Sequence, residues 1–207
     1  MSVDRFLVLH GLRLKGFAEA GAVASLYGVD ESDVALELKA LAEDGLVLRR
    51  DGRVSGWSLT GDGRVSEAAA LAEELERTGA RDAIDGAYQR FRTVNPELLD
   101  VCTSWQLRSV NGSTAINDHA DAAYDASVVD RLGALHDEAQ PLLAELRSTL
   151  PRFARYPERL AHALARVRAG EAEWFTKPLL DSYHTVWFEL HEDLLSTLGI
   201  QRGAEAR

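Results

Sequence analysis

Apolar side chains recur every third or fourth position at the start of the chain. In residues 4–15, Phe6, Leu9 and Leu12 share one face and Gly16 ends the run, the spacing of an amphipathic helix with a glycine stop. Residues 17–27 are rich in alanine and close on Gly28, predicting a second helix. After a tight turn at Val29 and Asp30, Val34, Leu38 and Leu41 fall at i, i+4 and i+7, so a third helix running from Glu31 to Gly45 buries a single stripe. The period then shortens to two. Residues 46–50 and 53–59 flank Asp51-Gly52, a dipeptide favoured in two-residue hairpin turns whose central residues both have positive φ. Thr60-Gly61-Asp62-Gly63 leads from this hairpin into an exit helix over residues 65–77.

Beyond residue 80 strand alternation is missing and helical windows are separated by proline and glycine. The pattern predicts helices over 80–94, 96–108, 122–150 with a bend at Pro141, 156–168 and 178–198. The stretch 109–121, which contains Asn111-Gly112-Ser113, reads as the one long irregular piece, and the tail from Gln201 as frayed. Three segments follow: an N-terminal domain over 1–65, a connecting helix over 66–80 and a C-terminal helical domain over 81–207.

Charge narrows the function. The 207 residues carry 33 acids and 23 bases, a formal net charge of −10, so the chain has no general attraction for nucleic acid or an anionic membrane, and any DNA contact has to be local. Cys102 is the single cysteine; it excludes an internal disulfide and a thiolate zinc cluster and suits a reducing cytoplasm. An acid stands near the start where a signal peptide has its basic region, and the apolar run 6–9 is far shorter than a membrane span. No phosphate-binding loop, dinucleotide fingerprint, nucleophile elbow or HExxH motif occurs, so the expectation is a non-enzyme without cofactor or metal.

Helix, helix-turn-helix, hairpin and exit helix is the order of a winged helix-turn-helix domain. The segment GVDESDVALELKALAEDGLVLRRDGRVSGWSLTGDGR resembles the corresponding part of MarR-like bacterial transcription regulators, the likeness covering roughly residues 4–80. The WQLR, NDHADAAYD and SYHTVWFELHEDLL stretches look like those of actinobacterial proteins described as transcriptional regulators. More faintly, the layout is similar to a module attached to phosphoenolpyruvate-using dikinases. It is also similar to GntR-type regulators with helical sensors, which hold a metal with an Asp and three His; here Asp130 and His136 stand six apart rather than four, and that motif is not reproduced. These resemblances imply a mainly α fold, an N-terminal winged helix-turn-helix with a two-stranded wing followed by an α-helical bundle. They further imply an operator-binding transcription regulator acting as a homodimer on double-stranded DNA, with a small acidic ligand in the helical domain setting the distance between its two wings.

The residues qualify that expectation. Base edges and phosphates are met by Arg, Lys, Asn or Gln, yet the outer face of the third helix carries Ser32, Leu36, Lys39, Ala40 and Glu43, flanked by Asp33 and Glu37. Residues 1–65 hold eight bases and ten acids, a net of −2. Arg49, Arg50 and Arg53 cluster around the hairpin tip, where guanidinium groups suit phosphates or a minor groove; the same arginines also serve to keep a sheet edge soluble. Candidate DNA contacts are therefore Ser32, Lys39, Arg49, Arg50 and Arg53. The rival is an interaction module that leaves DNA alone and uses its acidic face on a partner enzyme.

Three patches in the second half are candidates for ligand binding. Asn117, His119 and Asp121 alternate in one loop, with Tyr124 and Asp125 close behind; they suit a cation or hydroxyl groups, while Asp118 or Asp121 equally suits a helix cap. His184, Trp187, Phe188, His191 and Leu195 line one face of the last helix, and Val186, Leu190 and Leu194 form a second stripe. The two histidines are ~10 Å apart along the axis, too far to share a metal, so this face reads as core or as a pocket wall. Trp105 and Gln106 suit a cavity lining, Cys102 a core position, and Arg108, Arg152 or Arg159 a partner for a ligand's carboxylate or phosphate.

Overall fold

The computed structural model describes residues 3–110 and 112–201. Asn111 and the expected frayed tail beyond Gln201 lie outside the described residues. The described chain is mainly helical and divides into two compact units, Met1–Arg81 with Glu192–Arg207, and Asp82–His191. None of its helices is long and apolar enough to cross a membrane.

In the first unit, α1 (Arg5–Lys15) starts at Asp4, whose side chain accepts from the Phe6 N–H, and ends at Gly16. The second helix, α2, runs over Ala20–Tyr27 rather than from Phe17. Its start is delayed because Ala18 pairs in both directions with Trp57, N to O at 3.0 Å and O to N at 2.8 Å. Gly28, in the left-handed region, ends α2; α3 (Glu31–Glu43) follows, with Val34, Leu38 and Leu41 fully buried. The hairpin pairs β1 (Val47–Arg50) with β2 (Gly56–Leu59), from Val47 opposite Leu59 to Arg50 opposite Gly56. The expected two-residue turn is therefore replaced by a loop over residues 51–55, in which Gly52 keeps an ordinary φ. Part of the cause is local: the Asp51 carboxylate turns back to accept from Arg49 Nε at 2.9 Å.

The exit helix begins four residues earlier than expected, as α4 (Gly61–Thr78). Thr60 Oγ1 accepts from the Gly63 N–H at 3.0 Å, so the glycine-rich stretch is a capped first turn instead of a loop. Val8, Leu9, Leu12, Val23, Leu38 and Leu41 are central to the core of this unit. On one side of α1, His10 adds a polar element, bonded to Glu67 of α4 and to Asp193.

The second unit departs further from expectation. A single helix, α5 (Arg81–Gln106), replaces the two predicted ones and carries Pro96 inside it. A proline there costs about 3 kcal/mol, but the buried stripe Ile84, Tyr88, Phe91, Leu98, Val101 and Trp105 runs on both sides of it, and each large buried side chain contributes about 1.5–3 kcal/mol. Packing outweighs the breaker. The irregular stretch is a second hairpin, β3 (Leu107–Val110) against β4 (Ser113–Ile116), with Val110 opposite Ser113 and Gly112 at φ 80°. It shows no alternation because β4 is exposed along its whole length.

Helix α6 (Ala122–Thr149) contains Pro141 and leads through a 3-10 turn (Pro151–Ala154) into α7 (Arg155–Arg168). After the one-turn α8 (Glu173–Thr176), α9 spans Tyr183–Leu198, starting five residues later than predicted. Leu179, at φ 69°, interrupts the chain before it, and Ser182 Oγ accepts from the Thr185 N–H at 3.3 Å. From Glu192 onward α9 belongs to the first unit.

Candidate functional site

In the first unit, α3 buries its apolar stripe and leaves Ser32, Lys39, Glu31, Glu43 and a 65% exposed Leu36 outside. Asp30 caps α3 by accepting from the Ser32 N–H at 2.8 Å, and it also takes the Ser32 hydroxyl. Those two bonds hold the Asp30 carboxyl below its ordinary range, and they commit Ser32 to the cap. Arg5 pairs with Asp44 and, at 3.7 Å, with Glu37, so part of the acidity around α3 is neutralised within the unit.

The three hairpin arginines are not equivalent. Arg49 donates to Asp51 at 2.9 Å and to Glu19 at 3.2 Å, and its guanidinium lies 5.4 Å from the Trp57 ring centroid. The Glu19 bond, then Asp51, raises its already high pKa. Arg50 and Arg53 are exposed, as is Lys39, and none of the three is in an ion pair among the described residues. Arg50 at the end of β1 and Arg53 in the 51–55 loop thus offer uncommitted positive charge on the hairpin, with Arg49 held back as a brace.

In the second unit a recess of about 340 Å³ opens where α5, the residues after β4 and the start of α6 meet the end of α7. Trp105 and His119 line it together with Asp125, and Val129 and Val167 supply apolar wall. The rings of Trp105 and His119 are 4.5 Å apart, and Trp105 stacks on Phe175 at the same distance. Asn117 is buried and ties the site down: its amide donates to the Trp105 carbonyl at 3.2 Å and to Asp125 Oδ1 at 2.8 Å. His119 Nδ1 lies 3.0 Å from Asp125 Oδ2. The carboxylate is acceptor-only, so Nδ1 carries the proton; the 3.3 Å approach of Asn117 Nδ2 to the same Nδ1 is then a contact of two donors, not a bond.

Asn117 and His119 thus converge as the alternation predicted, but on Asp125, not with Asp121. His119 has φ 58°, which breaks the extended run that would have aligned all three. Asp121 instead caps α6, accepting from the Tyr124 N–H at 3.0 Å, and faces Arg108 at 3.5 Å. Tyr124 donates to the Ser104 carbonyl at 2.9 Å, and Gln106 reaches Thr176 at 3.4 Å; neither lines the recess. Asp125, which the sequence sets only behind the alternating loop residues, is where Asn117 and His119 meet.

The last helix does not contribute to this recess. Trp187 is buried, donates to Asn95 Oδ1 at 3.0 Å and stacks on Phe91 at 4.9 Å, where His191 also packs. Burial lowers the pKa of His184. Phe188, expected on the same face, is 47% exposed.

Arginines expected to meet an acidic ligand are already paired inside the unit: Arg108 with Asp121, and Arg159 with Asp181 at 2.9 Å and Glu189 at 2.7 Å. Arg152 is buried and lies over Phe153. Burial pushes the Cys102 thiol up to about 12, which keeps it protonated and suits a core position. Among the described residues no group of three His, Cys, Asp or Glu is placed to hold a metal ion. Compared with protein-family models, with curated proteins and with solved structures, the chain gives no match.

Proposed function

We propose that the first unit is a winged helix-turn-helix domain and that the protein is a DNA-binding transcription regulator acting as a dimer, with the β1–β2 hairpin as its wing. The observation that carries this reading is the pair Arg50 and Arg53, both exposed and outside any ion pair among the described residues, on the β1–β2 hairpin that follows the helix pair α2–α3. Uncommitted guanidinium groups release counterions when they meet phosphates, and a second copy doubles the footprint. The outer face of α3 adds only Lys39, so contact through this wing outweighs reading by the helix.

A second reading is favoured by one feature: Leu36 is 65% exposed between Glu31 and Glu43 on that face. An exposed apolar residue on a face with more acids than bases suits a basic protein partner better than DNA. A salt titration of binding to duplex DNA from the region upstream of the protein's own coding sequence, against a scrambled duplex, separates the two. Preference for the native duplex with a negative slope in log salt supports the regulator; folded protein with no binding at low salt selects the partner reading.

A further inference from the structure

The recess of the second unit has a chemical polarity that points away from an acidic ligand. Its lining contains one carboxylate, Asp125, and no Arg or Lys; the rest is Trp105, His119 and small apolar residues from α6 and α7. Arg108 is paired with Asp121 and Arg159 with Asp181 and Glu189, and neither lines the recess. A dianion such as a phosphate or a dicarboxylate would face Asp125 without a compensating cation, which a partly buried site does not tolerate.

What the site offers instead is acceptors and an apolar wall. Because Nδ1 of His119 donates its hydrogen bond to Asp125, Nε2 is the ring's remaining polar atom. Each oxygen of Asp125 has one partner shown here, Asn117 on Oδ1 and His119 on Oδ2, and a carboxylate has about four lone-pair sites. Trp105, 8% exposed with the rings of Phe175 and His119 each 4.5 Å from its own, supplies apolar wall. Asn117, 4% exposed, fixes Asp125 and the Trp105 backbone at once, so these groups are in place before any ligand arrives.

We infer that this recess binds a small organic cation, an ammonium group carrying an aryl or alkyl body. The ammonium donates to His119 Nε2 and pairs with Asp125, and its apolar body lies against Trp105, Val129 and Val167. This assignment does not depend on whether the hairpin of the first unit meets DNA.

The test is calorimetric titration of the full chain with phenethylammonium, 2-phenylethanol and 3-phenylpropionate, which share a body and differ in charge. Phenethylammonium should bind at least tenfold more tightly than the alcohol, with no detectable heat from the carboxylate. Asp125→Asn should weaken the ammonium at least tenfold and leave the alcohol within about threefold. Ala126→Trp, which fills the recess without touching the Asn117 bonds, should abolish binding of both while thermal melting shows a folded chain. It carries the test if Asp125→Asn melts early. Binding of 3-phenylpropionate as tight as that of the ammonium, no binding of phenethylammonium at millimolar concentration, or binding undiminished in Ala126→Trp would each overturn the assignment.

Discussion

His10 Nε2 and Asp193 Oδ1 meet at 3.1 Å although 183 residues separate them in the chain, and both side chains are fully buried. The other ring nitrogen of His10 lies 2.8 Å from Glu67, and Thr197 Oγ1 reaches Asp193 Oδ1 at 3.2 Å. This network joins α1, α4 and the end of α9 within the first unit. Removing one member takes away a buried hydrogen bond of this network, which costs about 1–3 kcal/mol. Asp193→Ala should therefore lower the urea midpoint strongly, and a loss under 1 kcal/mol by the same measure would show that the network is peripheral to stability.

Arg49 and its two neighbours should separate stability from binding. Its pairs with Glu19 and Asp51 are more than a third exposed, so Arg49→Ala should leave the midpoint of chemical denaturation close to that of the parent chain. Its effect on DNA affinity should be smaller than that of Arg50→Ala or Arg53→Ala. Equal losses of affinity for all three would mean that Arg49 leaves its carboxylates to reach DNA.

Two glycines give opposite expectations. A Cβ on Gly63 would stand 2.0 Å from the Leu46 carbonyl oxygen, a backbone atom that cannot step aside, so Gly63→Ala should cost about 1–3 kcal/mol. Gly86 lies inside α5 with nothing within 4 Å of an added Cβ. There Gly86→Ala should stabilise by about 0.5–1 kcal/mol through the entropy of the unfolded chain and helix propensity. Thermal melting of both variants checks the pair.

Acid should weaken the second unit. Burial lowers the pKa of His136 and His184 from the ordinary 6.5, with Asp137 raising and Arg168 lowering that of His136 to a lesser extent. A depressed folded-state pKa means that the unfolded chain takes up protons first, so this contribution is complete above pH 6.5 and is lost as pH falls through the lower folded values. His184→Gln should flatten the decline in melting temperature below pH 6.5 relative to the parent chain. An unchanged slope would show that His184 does not titrate differently on folding.

The first unit was largely legible because its signals are local. The Val34, Leu38 and Leu41 stripe, the stop at Gly28 and the period change after Gly45 each depend on neighbours within one or two turns. What was misread there depended on partners elsewhere: Ala18 is held by Trp57, and Thr60 converts a glycine-rich stretch into a first helical turn. In the second unit, Pro96 misleads and the stretch around Gly112 reads as irregular. The first is overridden by a buried stripe on both sides, and the second, with Gly112 at φ 80°, precedes a β4 strand that has no buried face and gives no alternation to read. The recess was half legible. Asn117, His119 and Trp105 were visible as residue types, but their convergence on Asp125 requires the positive φ at His119, which no spacing announces.

The most direct measurement is fluorescence anisotropy of a labelled native duplex with the parent chain and with Arg50→Glu/Arg53→Glu, at matched low salt and with circular dichroism of each protein. If Arg50 and Arg53 are the wing contacts, the double variant keeps its helical spectrum and loses at least a hundredfold in affinity. An unchanged affinity in a folded double variant would contradict the proposed function at its centre.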